Sequence, residues 1–230
     1  MTVAAVPVTP AVARMRLFAV VAAVAHVVFV LAWLLAGTWQ GPRYSWLDHS
    51  ISDMYAVGAP RGAFLVVVIT LCGVSAILFA VLSVWPALKE AGWSAAVGSG
   101  ALALSIYGLG DLLTPFERMA CRSADVGCSD ADKVANAGGF LDVALSTAGL
   151  TLFVAAGFFL SAAMGLAPGW KAWSRPTMWV TIVVLTLFIL TVALGSVGLG
   201  GLFERLLAAT GAAAIVVLAV GVLRHSRRGL

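Results

Sequence analysis

The sequence predicts an all-α, polytopic membrane protein with six transmembrane helices, and three observations lead to this fold class. Of the 230 residues, 62% are hydrophobic and only 10% are charged, and the mean hydropathy is +1.04. A soluble domain cannot bury that much apolar surface. The apolar residues also form six runs, each near the length of about 20 residues that crosses a bilayer as a helix. The transmembrane domain is expected over 17–224, between two cytoplasmic tails at 1–16 and 225–230. Its predicted spans are 17–37, 63–85, 94–113, 140–165, 177–200 and 206–223.

The N-terminal segment, residues 1–16, is predicted to be a flexible tail because it is rich in Ala, Val, Pro and Thr and ends in Arg14 and Arg16. The apolar run from Leu17 to Gly37 follows this positive flank, as it does in a signal peptide. The run is too long for the apolar part of a signal peptide and lacks an A-x-A cleavage motif. We therefore interpret it as a retained first helix.

The polar segment between the first two spans, Tyr44–Tyr55, predicts a short amphipathic helix in the first outer loop. At 100° per residue its apolar and polar side chains fall on opposite faces. Ser45 followed by Asp48 suits a helix start, and Gly58 with Pro60 supplies a stop. We expect this helix to lie flat at the membrane surface. Its polar face consists of Ser45, Asp48, His49, Ser52 and Asp53.

Polar residues of three segments are expected to meet in an outward-facing bowl. A helix would let His49 and Asp53, four positions apart, touch and orient the imidazole. Asp111 near the outer end of span three and Asp142 one turn into span four should lie at similar depth. Acids there are costly unless paired or facing a wet cavity, so they are functional candidates. The catalytic candidates are His49, Asp53, Asp111 and Asp142. The ligand-binding candidates are Asp48, His49, Ser52, Asp53, Asp111, Asp142 and Arg205.

Each of these features also has other interpretations. The His49–Asp53 pair could be a solvated polar face, and the two span acids could form salt bridges to Arg118 or Arg205. His49 with Asp53, Asp111 and Asp142 could instead hold a divalent cation; a single outer histidine among carboxylates suits a hard cation better than zinc. No haem or nucleotide is expected, because facing histidines and a phosphate-binding glycine loop are missing from the sequence. His26, within the first span, is expected to be hydrogen-bonded core.

Charge distribution predicts that both termini are cytoplasmic and that the protein lies in the plasma membrane. Eight of the fourteen basic residues then lie inside, a mild positive-inside bias. These eight are Arg14, Arg16, Lys89, Lys171, Arg175, Arg224, Arg227 and Arg228. We therefore attribute the net charge of +4 to basic residues that set the orientation of the protein in the membrane. No nucleic-acid partner is expected, because the sequence has no basic patch interleaved with aromatic residues.

The cysteines predict one disulfide, between Cys121 and Cys128 of the third loop, on the outer side. A bridge is chemically permitted there and would close a short loop. A metal site would need two more ligands nearby, and C-x6-C is not a zinc spacing. Cys72, inside span two, is expected to be inert core.

Several short motifs carry a resemblance to a known family. They are His49–Asp53 (HSISD) followed by Gly58 and Pro60, then Gly108–Pro115, then Gly201–Arg205 (GLFER). With the six-span layout, these motifs resemble the DUF998 family of bacterial and archaeal membrane proteins, which is similar to the wider Frag1/DRAM/Sfk1 group. In that family a histidine often opens span four, where Asp142 stands here, so the resemblance does not imply a shared histidine site. It implies the fold and topology, and no activity.

Three functions are consistent with the sequence. The first is a protein whose outer bowl binds a lipid headgroup or other amphiphile, with membrane lipids or another membrane protein as partners; Trp39, Tyr44 and Trp46 suit the depth of the headgroups. The second is a membrane-embedded hydrolase or transferase, with or without a metal, that acts on a lipid-linked substrate. In it His49 would be the general base, Asp53 its orienting group, and Asp111 with Asp142 the metal or electrostatic partners. The third is an ion- or proton-coupled transporter, ranked last because only His26 is ionisable near the midplane.

Overall fold

The structure, a computed structural model, describes residues 9–227 and consists of six long helices joined by short connections and two longer loops. Each helix is long and apolar enough to cross a membrane, which confirms the predicted fold class. The helices are α1 (Pro10–Gly37), α2 (Gly62–Ala91), α3 (Trp93–Phe116), α4 (Ala137–Leu166), α5 (Lys171–Val197) and α6 (Gly200–Arg227).

The first helix begins earlier than the sequence suggests. Pro10 occupies its first turn and the Thr9 hydroxyl accepts a hydrogen bond from the backbone N–H of Val12, which are both favourable features of a helix start. Residues 10–16, predicted as part of a loose tail, are therefore helical. The C-terminal helix likewise continues to Arg227, and the remaining parts of the predicted tails, 1–8 and 228–230, lie outside the described residues.

Helix α3 is interrupted near its middle, where the sequence predicts a continuous span. Regular α-helix ends at Leu104, Ser105 is extended (φ −69°, ψ 177°), and a π-helical turn follows over Ile106–Gly110. The Ser105 hydroxyl donates to the carbonyl of Leu102 at 2.8 Å, so a local side chain satisfies a backbone acceptor beside the break.

The six helices pack as a closed ring in chain order, because α1 contacts both α2 and α6, and α4 lies between α3 and α5. Glycines allow two neighbours to approach the interrupted part of α3. A Cβ atom on Gly73 of α2 would clash with the backbone of Leu112, and one on Gly149 of α4 would lie 2.7 Å from the backbone nitrogen of Ile106. Such small residues allow close helix packing in lipid.

The loops divide the molecule into two ends. The disulfide end carries the loops 38–61 and 117–136 and the α5–α6 turn at 198–199; the terminal end carries residues 9 and 227 and the connections at 92 and 167–170. At the disulfide end the two long loops are joined by the backbone hydrogen bond from Val57 N to Met119 O, at 2.8 Å.

Candidate functional site

The first loop does not form the predicted amphipathic helix. A turn covers Trp46–Asp48, and a single 3₁₀ turn covers Ser52–Tyr55. The segment also does not lie flat on the surface: Ile51, Met54 and Tyr55 are 6%, 0% and 8% exposed. These apolar side chains enter the end of the helical bundle, where burial stabilises them more than an interfacial position would.

Helix α6 supplies the hydrogen bonds that shape this loop. The backbone N–H groups of Gly201 and Leu202 have no partner within the helix, and they donate to the carbonyls of Asp48 (3.1 Å) and Leu47 (2.9 Å). A Cβ atom at Gly201 would collide with the His49 carbonyl, so this close approach requires glycine. The loop therefore caps the first turn of α6.

Arg205, predicted to bind a ligand, instead holds the loop in place. Its Nη1 donates to the carbonyls of Trp46 (3.0 Å), His49 (2.7 Å) and Gly201 (2.7 Å), and its Nη2 donates to the Tyr44 hydroxyl. The guanidinium group also lies 5.1 Å from the ring centroid of Trp46 and is almost fully buried. Nε has no hydrogen-bond partner among the described residues, but Nη1 and Nη2 bond to oxygens of the loop and of the first turn of α6. These contacts give Arg205 a structural role.

The predicted His49–Asp53 pair does not form, because the helix that would have aligned these residues is absent. His49 Nδ1 accepts from the backbone N–H of Ser45 at 3.2 Å, and Nε2 lies 3.8 Å from Asp48 Oδ2. Asp53 accepts from the backbone N–H groups of Ser50 (3.0 Å) and Ser123 (2.7 Å). His49 and Asp53 therefore serve different contacts, and no observation supports them as a general base with its orienting group.

A cavity of about 330 Å³ lies inside the ring, beneath the first loop. Asp111 of α3, Asp142 of α4 and Glu204 of α6 all contribute to its wall. The predicted convergence of Asp111 and Asp142 is therefore observed, together with Ser52, whereas Asp48, His49, Asp53 and Arg205 do not line this space. Further polar lining residues are Ser50, Tyr55, Tyr107, Ser146, Thr147 and Thr191, and the apolar lining includes Phe29, Ile69, Leu150, Phe188 and Leu207.

The carboxylates of the cavity differ in their hydrogen bonding. Asp142 Oδ1 accepts from the Tyr55 hydroxyl at 3.3 Å, and Glu204 Oε1 accepts from the backbone N–H of Ile51 at 3.0 Å. Asp111 is 8% exposed, and its Oδ2 has no hydrogen-bond partner in the described range 9–227. A buried polar atom without a partner is unusual in a folded protein and calls for an explanation.

The salt-bridge interpretation of the two span acids is wrong. Arg118 donates to the carbonyls of Tyr55 (2.8 Å) and Ala56 (3.0 Å) rather than to a carboxylate. Within residues 9–227, the ion pairs are Asp48–His49, Arg122–Asp125 and Asp130–Lys133, none of which contains Asp111 or Asp142.

Negative groups surround Tyr55 and Glu117 at this end of the bundle. Burial raises the pKa of the Tyr55 hydroxyl well above its usual value, and the charges of Asp142, Glu117, Glu204 and Asp111 raise it further. Burial, with a smaller effect from the charge of Asp142, raises the pKa of Glu117 to about 8. The disulfide end thus concentrates carboxyl groups around a small, partly open cavity.

The predicted divalent-cation site is not formed. In the part of the chain that the structure describes, no three His, Cys, Asp or Glu side chains come together as a set of metal ligands. His49, the predicted imidazole ligand, lies outside the cavity. Asp111 and Asp142 therefore share a cavity without His49 and Asp53 completing a metal centre.

The cysteine predictions agree with the structure. Cys121 and Cys128 form a disulfide with their Cα atoms 6.1 Å apart. Cys72 is buried, and its thiol donates to the carbonyl of Ala25 at 3.1 Å, as expected of a core cysteine. His26 is buried too, with Nδ1 2.8 Å from the Ala22 carbonyl.

The sequence did not indicate Glu204 as a cavity residue because the predicted sixth span begins only at 206, two positions after this acid. The helix begins at Gly200, so Glu204 lies one turn before Leu207 and Ala208 on the same helix face. The signal was present in the sequence: glycines at 198, 200 and 201 mark the turn earlier than the apolar run alone does.

Comparison with known proteins gives one family match. The model of the DUF998 family, described as "Protein of unknown function (DUF998)", matches residues 3–221, nearly the whole chain. No curated protein matches the chain, and no solved structure matches it.

Proposed function

The chain belongs to the DUF998 family, and we propose that it is a membrane protein that binds an amphiphile in the cavity at its disulfide end. The observation that carries this proposal is the composition of the cavity wall. Carboxylates and hydroxyls from the first loop and from α3, α4 and α6 meet apolar side chains such as Phe29, Leu150 and Phe188 in one space. The polar headgroup of an amphiphile could contact the carboxylates and hydroxyls, and its alkyl part could contact the apolar side chains.

The dimensions of the cavity agree with this proposal. Its volume of about 330 Å³ lies at the lower end of the range of roughly 300–1,000 Å³ that is typical of small-molecule sites. A headgroup with a short apolar portion fits this volume. Val143 of α4 lines the cavity and is 54% exposed, so the cavity is open rather than sealed at this residue.

The proposal includes a location in the plasma membrane with the disulfide end outside and both termini in the cytoplasm. Two features support it. Disulfides persist in oxidising compartments outside the cytoplasm, and basic residues favour the cytoplasmic side. In the sequence, eight of the fourteen basic residues belong to segments predicted to be cytoplasmic and six to segments predicted to be outside, a mild bias.

A photoreactive alkyl probe tests the proposal. The purified full chain, in lipid nanodiscs, should be labelled on α4 between Val143 and Leu150, and substitution Ser146→Trp should remove this labelling by filling the cavity. Thr186→Trp, at an exposed position of α5 outside the cavity wall, is the matched control and should leave labelling unchanged. Labelling spread evenly over all lipid-facing helices, and insensitive to Ser146→Trp, would contradict the proposal.

A second candidate function, proton-coupled transport, is favoured by the interruption of α3 at Ser105. Substrate sites of transporters are commonly formed by broken helices near the midplane. Ile106 and Tyr107, which follow the break, line the cavity, and Tyr107 lies beside His26 with ring centroids 5.8 Å apart. Proton flux into proteoliposomes under a membrane potential, lost in Asp111→Asn, would favour transport over binding alone.

A further inference from the structure

We propose that the amphiphile bound in this cavity carries a protonated primary amine, which the carboxylates of Asp111 and Asp142 recognise. The inference rests on the proposed function, since it names the chemical class of the ligand for the same cavity. It is carried by the charge of the lining, by an unpartnered oxygen of Asp111, and by the separation of the acids.

The lining has one sign of charge. Three carboxylates contribute to it, and in the described part of the chain no Lys, Arg or His side chain does. The two nearby arginines are engaged elsewhere: Arg118 binds the carbonyls of Tyr55 and Ala56, and Arg205 binds loop carbonyls and the Tyr44 hydroxyl. A phosphate or carboxylate headgroup would find hydroxyl donors in the lining but, in the described part of the chain, no cationic side chain to balance its charge, whereas a cation would be attracted to the carboxylates.

Asp111 supplies the second observation. It is more than nine-tenths buried, it lines the cavity, and its Oδ2 has no donor among residues 9–227. A bound cation would favour the ionised form of Asp111, and an ionised carboxylate only accepts hydrogen bonds, so a donor would satisfy it. A primary ammonium group supplies three N–H donors and a positive charge in one small group, and such charge-assisted hydrogen bonds are stronger than neutral ones.

The arrangement of the acids favours an organic cation over a metal ion. The acidic side chains are not grouped closely enough to hold a metal in the described part of the chain. An ammonium group has no need of such close packing, because each N–H can bond to a different oxygen. The hydroxyls of Ser52, Ser146 and Thr147 are further acceptors in the lining, and Phe29, Leu150 and Phe188 provide the surface for the alkyl part.

Three probes with the same chain length separate the headgroup from the chain: octylamine, octanol and octanoate. Each is used to displace the photoreactive alkyl probe from the full chain in phosphatidylcholine nanodiscs at pH 7. We expect octylamine to act at a concentration at least tenfold lower than octanol, and octanoate to be weaker than octanol. Asp111→Asn and Asp142→Asn should each raise the octylamine concentration needed for displacement at least tenfold, while the octanol concentration needed stays the same. Asp130→Asn is the control, because this exposed acid lies outside the cavity.

The outcomes distinguish the two proposals. Equal displacement by octylamine and octanol, unchanged in both cavity variants, would overturn the amine assignment and leave amphiphile binding intact. If the photoreactive probe labels no cavity residue, amphiphile binding itself fails. The melting temperature of each variant shows whether it folds. Because Asp111 and Asp142 are replaced in separate variants, the test can still be read if one of them misfolds.

The same assay distinguishes two sources of the amine. Adding phosphatidylethanolamine to the nanodiscs should weaken octylamine binding if the natural ligand is a lipid headgroup that reaches the cavity. Unchanged octylamine binding assigns the cavity to a free amphiphilic amine.

Discussion

Asp53 Oδ1 accepts a hydrogen bond from the backbone N–H of Ser123 at 2.7 Å, and this contact joins the first loop to the disulfide loop across 70 positions of the chain. The Ser123 hydroxyl and the backbone N–H of Ser50 donate to the same carboxylate, which is 1% exposed. Asp53, predicted as part of a catalytic pair, is therefore placed to hold two loops together above the cavity.

Replacing Asp53 by alanine should destabilise the protein because it leaves the N–H groups of Ser50 and Ser123 without acceptors. A loss of about 2–3 kcal/mol is expected from such unsatisfied donors. Chemical unfolding in detergent measures it. Asp130→Ala removes only an exposed ion pair with Lys133 and should change stability by less than about 1 kcal/mol. Equal effects of both substitutions would show that Asp53 does not join the loops.

Asp111→Asn should leave the melting temperature unchanged or raise it. Among the residues that the structure describes, no cation pairs with Asp111, so the substitution leaves no partner charge unpaired and removes a group whose ionised form is costly to bury. Asp142→Asn should behave similarly, since the amide oxygen of asparagine can still accept from the Tyr55 hydroxyl. Thermal melting in detergent checks both variants. A marked fall in both would mean that these acids support the fold rather than a ligand.

Glu117 should make stability depend on pH. Its folded pKa of about 8 lies above the ordinary value of 4.5, because its carboxyl group is buried near the charge of Asp142. The folded state thus holds a proton that the unfolded state releases, so this contribution to stability is complete below pH 4.5 and is lost as the pH rises through about 8. The melting temperature should fall across this window and fall less in Glu117→Gln. Parallel profiles for the two proteins would refute this assignment.

The disulfide predicts a thiol count of one. Mass-tag labelling of the denatured, unreduced protein should detect only Cys72, because Cys121 and Cys128 are joined. Replacing both with alanine should cost roughly 2–3 kcal/mol by the loop-entropy estimate for so short a loop. Three reactive thiols in protein isolated without reductant would exclude the bridge.

The proposed orientation predicts which single cysteines react from outside the cell. In a background with Cys121 and Cys128 changed to alanine, Val126→Cys should react with an impermeant maleimide, since position 126 is 81% exposed at the disulfide end. Lys171→Cys, exposed at the terminal end, should be protected until the membrane is permeabilised. The opposite pattern would invert the orientation.

The sequence alone was sufficient for the six helices, the pairing of Cys121 with Cys128 and the shared depth of Asp111 and Asp142. These features follow from local physics: apolar length sets a span, and two helices joined by one loop bring their adjoining ends to the same side of the membrane. Each can be inferred from residues close together in the chain.

The first loop and the polar contacts around it were decided only by tertiary structure. The pattern of Ser45–Tyr55 suits an amphipathic helix, but its backbone instead bonds to α6, where Arg205 donates to a carbonyl 156 positions away. Asp53 similarly accepts a hydrogen bond from the backbone N–H of Ser123, which lies in another loop. Helix α3 is interrupted at Ser105, where Gly149 of α4 allows the two helices to approach closely. Local periodicity could not predict these contacts, because a buried polar group takes whichever partner the packed helices bring within reach.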